Sequence, residues 1–112
     1  MSQKLIDNFI KASIRGHQAS IEGDIKRRRQ SERDIYKIDI ELLKEGITGL
    51  SELENLMFHD NPVVRFNAAG LCCTHGLNLD LVWATYETLS QDEGLVGIMA
   101  KIVLKARYAG AI

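Results

Sequence analysis

Proline occurs once in 112 residues, and cysteine twice. A single proline excludes a proline-rich linker or recognition tract. The two cysteines, Cys72 and Cys73, are adjacent. Neighbours in sequence rarely present the converging Cβ vectors that a disulfide requires, so both are expected as reduced thiols of a cytoplasmic protein. No apolar run reaches the roughly 18 to 20 residues that a bilayer span needs. Residues 1–13 contain Asp7 and no uninterrupted apolar stretch, so no secretory signal is read there. Strand-like alternation of apolar and polar residues does not persist anywhere. What is present is ordinary: 46% hydrophobic and 26% charged residues, enough chain for one domain with one modest core.

The net charge of −1 conceals a strong asymmetry. Residues 1–37 carry nine Lys/Arg and five Asp/Glu, a balance of +4. Residues 38–93 carry Lys44 and Arg65 against ten acids, a balance of −8. Residues 94–112 add Lys101, Lys105 and Arg107 without an acid. An acidic middle steers basic partners and repels nucleic acid. Acids on amphipathic helices also keep a small protein in solution, so the charge alone does not assign a partner.

Helical periodicity runs through the chain. Leu5, Ile6, Phe9, Ile10, Ile14, His17 and Ile21 recur at three- and four-residue steps and predict a helix over about 3–22. Gly23 ends it and Asp24 caps a second helix, which runs to about Glu45 with two apolar rows: Ile35, Ile38, Leu42 and Tyr36, Ile40, Leu43. Gly46 is the expected stop. A third helix is expected over about 50–59, with Leu50, Leu53, Leu56 and Met57 on one side. Asn61 as cap and Pro62 in the first turn predict a fourth helix over 62–75, with Val64, Ala68, Leu71, Cys72 and His75 inward. Asn78 caps a fifth, about 79–90, bearing Val82, Trp83, Tyr86 and Leu89. Gly94 opens a turn into a sixth, about 95–109, bearing Val96, Met99, Ala100, Val103 and Leu104.

The last four helices repeat. A shift of 33 residues lays Leu50, Leu53 and Leu56 on Trp83, Tyr86 and Leu89. A shift of 32 lays Val64, Ala68 and Cys72 on Val96, Ala100 and Leu104. Each helix pair carries apolar stripes on both helices, which stacking against a neighbour buries. The period is shorter than the ~40 to 47 residues of a HEAT unit.

The segment from Leu56 to Ala69, LMFHDNPVVRFNAA, is the most specific in the chain. It resembles a HEAT-type inter-helix turn: aliphatic residues, an acid, a proline, Val-Arg and a small-residue step. More narrowly, it resembles a small bacterial family of unknown-function helical domains, with Leu5–Phe9 similar to that family's opening helix and Met99–Leu104 to its closing one, while Lys26–Arg29 diverges. Members of that family resemble immunity proteins encoded beside secreted bacterial toxins, including those of contact-dependent growth inhibition systems. The expected fold is all-α: a short HEAT-like right-handed α-solenoid of about six helices in antiparallel hairpins. It forms one domain, with a helix pair in each of 1–46, 47–76 and 77–112. The resemblance implies binding of a cognate toxin in the cytoplasm, with no turnover. A basic nuclease-like target, preferably acting on RNA, would suit the acidic middle. The candidate contacts are Glu41, Glu45, Glu52, Glu54, Asp80, Glu87 and Asp92, read as exposed acids. Trp83 and Tyr86 are expected in the core first and as interface anchors second. Arg65 is expected to hold structure, by pairing with Asp60 or bonding carbonyls at a helix end.

Other chemistry finds less support. His17, His59 and His75 lack ligand spacing, and Cys72 and Cys73 point about 100° apart on a helix, so no metal or cofactor is expected; Cys72 reads as core. No strand exists to build a nucleophile elbow, no glycine-rich phosphate loop is present, and Glu52 and Glu54 face different ways, so the chain is not read as an enzyme. Small-molecule substrates and membranes are likewise not expected as partners. The one basic run, Lys26-Arg27-Arg28-Arg29 with Arg33 and Lys37, offers the alternative of a nucleic-acid-binding or scaffold adaptor acting through Lys26–Arg33. Against it, Glu22, Asp24, Glu32 and Asp34 are interleaved, Glu22 and Lys26 read as helix neighbours, and no aromatic residue lies between 10 and 35. A solvated helix face is the preferred reading.

Overall fold

The computed structural model describes residues 2–111. Among them the regular structure is entirely helical: α1 (Ser2–Glu22), α2 (Ile25–Lys44), α3 (Ile47–Asn55), a 3₁₀ turn (Leu56–Phe58), α4 (Pro62–Thr74), α5 (Leu79–Leu89) and α6 (Leu95–Tyr108). The six predicted helices are all present. None is long and apolar enough to cross a membrane.

Local chemistry sets most of the boundaries. Asp24 Oδ1 accepts the Arg27 N–H at 3.0 Å, and Asn61 Oδ1 accepts from Val63 and Val64 at 2.8 and 3.3 Å, with Pro62 in the first turn of α4. Asn78 caps α5 through the Leu81 N–H, from a left-handed backbone with φ +43°. Asparagine tolerates that region better than most residues, because its short amide hydrogen-bonds locally. At the ends of α1 and α4, Gly23 (φ +73°) and Gly76 (φ +67°) turn the chain so that Asp24 N–H reaches Ala19 C=O and Leu77 N–H reaches Cys72 C=O. These wrap-around bonds satisfy carbonyls that the helix leaves open, and they need a residue without Cβ strain. The third helix begins three residues earlier than predicted and tightens into the 3₁₀ turn from Leu56.

The chain divides into two compact units, Met1–Leu56 and Met57–Ile112. The division falls inside the helix pair expected over 47–76. In the first unit α1 packs on α2, and α3 packs on both. The buried apolar residues are Phe9, Ala12, Ala19, Ile38, Leu42, Leu53 and Leu56, joined by Ser13, Ser31 and Asp39. The face that α1 buries differs from the predicted stripe: Ile14 and Ile21 are 44% and 60% exposed. Close approach selects small residues instead. A Cβ built on Gly16 would lie 3.0 Å from the Ser31 Cβ, so α1 and α2 meet where neither carries bulk. The row Tyr36, Ile40 and Leu43 on α2 is exposed, while Ile38 and Leu42 are buried.

In the second unit α5 packs on α4 and α6, and α4 also touches α6. Met57, Val64, Ala68, Cys72, Val82, Tyr86, Leu89, Val96, Ala100 and Leu104 are buried. Burial follows the predicted repeat: Leu53 and Tyr86, Leu56 and Leu89, Val64 and Val96, Ala68 and Ala100, Cys72 and Leu104 are all buried pairs, and Leu50 and Trp83 are both half-buried. Leu71 and His75, expected inward on α4, are half-buried. Phe66 meets Tyr86 edge-on with ring centroids 5.5 Å apart, and Trp83 lies 5.8 Å from the same ring. Neither cysteine forms a disulfide; Cys72 is buried and Cys73 half-buried.

Candidate functional site

One candidate surface lies on α2. Its buried residues, Ser31, Ile38, Asp39 and Leu42, fix one side against the rest of the first unit. At about 100° per residue the opposite side collects Lys26, Arg29, Arg33, Tyr36, Lys37 and Ile40. The acids interleaved in this run are taken up elsewhere. Glu22 Oε1 accepts from Arg27 Nη2 at 2.7 Å, and Asp24 Oδ2 lies 3.6 Å from Arg27 Nη1. Arg28 Nε is 3.5 Å from Glu32, and Asp34 Oδ2 receives Arg15 Nη2 from α1 at 2.6 Å. The partner of Glu22 is thus Arg27 and not Lys26, because Gly23 and Asp24 interrupt the helix between them. Hydrogen bonds from Gln18 and Arg27, with the nearby guanidinium charge, hold the Glu22 carboxyl below its usual range. Among the described residues no ion pair engages Lys26, Arg29, Arg33 or Lys37; Arg33 Nη2 donates to the side-chain amide oxygen Oε1 of Gln30, at 2.9 Å. Arg29, Glu32, Arg33, Tyr36 and Lys37 line a shallow groove, in which Tyr36 is 65% exposed. The apolar row continues through Ile40 and Leu43, both partly in solvent. The sequence placed Tyr36 in an apolar stripe, and its basic neighbours at 29, 33 and 37 were the signal that it belongs to a cationic face.

On the second unit α5 carries Asp80 and Glu87 seven residues apart, both exposed and on one side of the helix. Glu87 accepts the Tyr108 hydroxyl, and that bond raises the tyrosine's pKa. The Arg107 guanidinium stands 4.3 Å from the centroid of the Trp83 ring. Tyr86 is core, as expected, whereas Trp83 is half-buried beneath Arg107. Leu95, Ile98 and Ile102 form an exposed apolar row on α6. Arg65 donates to the carbonyls of His59 and Asp60 at 2.8 and 3.0 Å, bracing the turn that leads into its own helix. A small depression near it is lined by Met57, Phe58, Leu81, Ala84, Thr85 and Thr88.

The seven acids proposed from sequence do not collect on one helix face. Glu41 is exposed and pairs with Lys44 at 3.1 Å. Glu45 closes α2, and Glu52 and Glu54 lie on α3; these three are half-buried rather than exposed. Two positions apart on a helix is about 200°, so Glu52 and Glu54 face apart. Asp80, Glu87 and Asp92 are exposed and belong to the other unit. Among the described residues no three His, Cys, Asp or Glu side chains gather as a metal site. Compared with protein-family models, curated proteins and solved structures, the chain matches none.

Proposed function

We propose that this protein works by gripping another macromolecule with its helix surfaces, and that the partner is the one the family resemblance implies: a secreted toxin domain that it neutralises in the cytoplasm by covering the active site. The observation that carries the binding reading is the apolar row left in solvent on α6, Leu95, Ile98 and Ile102. Apolar side chains grouped in this way on a small protein mark interaction surfaces more often than single exposed residues do. Asp80 and Glu87, together on α5, supply negative charge for a basic, nuclease-like target.

The HEAT-like arrangement belongs to the same proposal. Its support is the matched burial of residues 32 and 33 positions apart, together with packing of α5 on both α4 and α6. For a hairpin of α1 and α2 with opposed directions, the support is a shared groove that brings Asn8, Lys11 and Arg15 beside Asp34, Lys37 and Ile38.

The test is titration calorimetry of the purified protein against the toxin domain encoded next to it, paired with co-expression. A stoichiometric complex and rescued growth are expected. Absence of both overturns the neutralising role.

A further inference from the structure

The α2 groove carries a second inference, independent of the toxin reading. We propose that Arg29, Arg33, Tyr36 and Lys37, extended by Lys26, form a binding site for single-stranded nucleic acid, with Tyr36 stacking on a base and the four cations meeting phosphates.

Three observations converge on it. First, Lys26, Arg29, Arg33 and Lys37 are cations without an acidic partner among the described residues, although four acids lie in the same stretch of chain. Glu22 and Asp24 are held by Arg27, Glu32 by Arg28, and Asp34 by Arg15. The ion pairs therefore sort the charges, leaving one side of the helix cationic. Glu32 also borders the groove, with its carboxylate 3.5 Å from Arg28 Nε. Second, the four cations rise along the helix in steps of three, four and four residues, a row of about 16 Å at 1.5 Å per residue. That is a track for an extended backbone rather than a pocket for one anion. Third, Tyr36 stands among these cations in the groove wall with 65% of its surface in water.

Charge and shape choose between the possible occupants. An acidic peptide would meet the cations and leave the Tyr36 ring in water. A duplex would supply phosphates and keep its bases stacked away from the ring. A single strand supplies both a phosphate row and a free π-face, the combination that sequence-tolerant single-strand binders use.

Fluorescence anisotropy of the full chain with labelled oligo-U and oligo-dT of about 12 nucleotides tests the site. Binding is expected to fall with salt at a log–log slope of about −0.7 per phosphate contact. Four contacts then give about a fifty-fold loss between 50 and 200 mM salt. The Arg29→Gln/Arg33→Gln double variant should flatten the slope by about 1.4. Tyr36→Ala should weaken binding by about five-fold to a hundred-fold at an unchanged slope, with Tyr36→Phe near wild type. All three side chains reach solvent, so each variant should keep the parental unfolding midpoint. No binding at 50 mM salt overturns the proposal. So does binding that ignores Tyr36→Ala, equal affinity for a duplex of the same length, or tighter binding of polyglutamate or phosphatidylserine vesicles.

Discussion

Tyr86 concentrates the packing of the second unit in one side chain. Its ring meets Phe66 edge-on and leans on Trp83, and only 4% of the residue reaches solvent. Burial, reinforced by the neighbouring Cys73 and Cys72, pushes its phenol up to about 12. The ionised form is therefore disfavoured in the folded chain, and the unfolded chain loses this proton near the ordinary value of 10. A pKa raised on folding contributes stability that is complete below pH 10 and is lost as pH climbs to 12. Stability measured by urea unfolding should decline across that window by about 2 to 3 kcal/mol from this group. Tyr86→Phe should remove most of the decline while keeping the ring contacts. Equal alkaline loss in the variant would place the sensitivity elsewhere.

At the scale of the element, two glycines inside helices matter because of what stands beside them. A Cβ on Gly49 of α3 would sit 1.9 Å from the Leu42 carbonyl oxygen, and one on Gly97 of α6 would sit 1.9 Å from that of Asp92. Both obstacles are backbone and cannot swing aside. Gly70 of α4 has room, with the Tyr86 hydroxyl at 3.5 Å, an ordinary contact. Gly49→Ala and Gly97→Ala should each cost about 3 kcal/mol or more in urea unfolding. Gly70→Ala should gain about 0.5 to 1 kcal/mol from helix propensity. The three glycines look alike in the sequence, since no residue type marks where the incoming turn, at Leu42 or Asp92, folds its backbone back onto the helix that follows. What could be read there was local: the caps Asp24, Asn61 and Asn78, the first-turn Pro62 and the terminal glycines all act within a few residues of themselves, and the helices follow them. Ile14 and Ile21 fit the period of α1 but are exposed, because α1 and α2 approach through Gly16 and Ser31 instead. The cationic side of α2 was obscured for the same reason. Arg15 neutralises Asp34 from another helix, and composition counts that acid against its own neighbours.

Over the whole molecule, charge is separated along the chain far more than the net value of −1 suggests, at +4 for residues 1–37 and −8 for residues 38–93. Separated charge acts at a distance of about a Debye length, and it governs how fast a partner arrives more than how long it stays. The ten acids of 38–93 are not equal in this respect. Glu41 is offset by Lys44, whereas Asp80 and Glu87 share the solvent side of one helix with no cation paired to either among the described residues. If the partner is a basic toxin domain, its association rate should fall at least ten-fold between 20 and 500 mM salt, with little change in dissociation rate. Asp80→Asn with Glu87→Gln should reproduce several-fold of that loss at low salt, the glutamine still accepting the Tyr108 hydroxyl so that α5 and α6 stay joined. Stopped-flow or surface-based kinetics separate the two rates. An association rate indifferent to both salt and these substitutions would mean that the acids of α5 serve solvation alone, and that the apolar row of α6 carries recognition without electrostatic help.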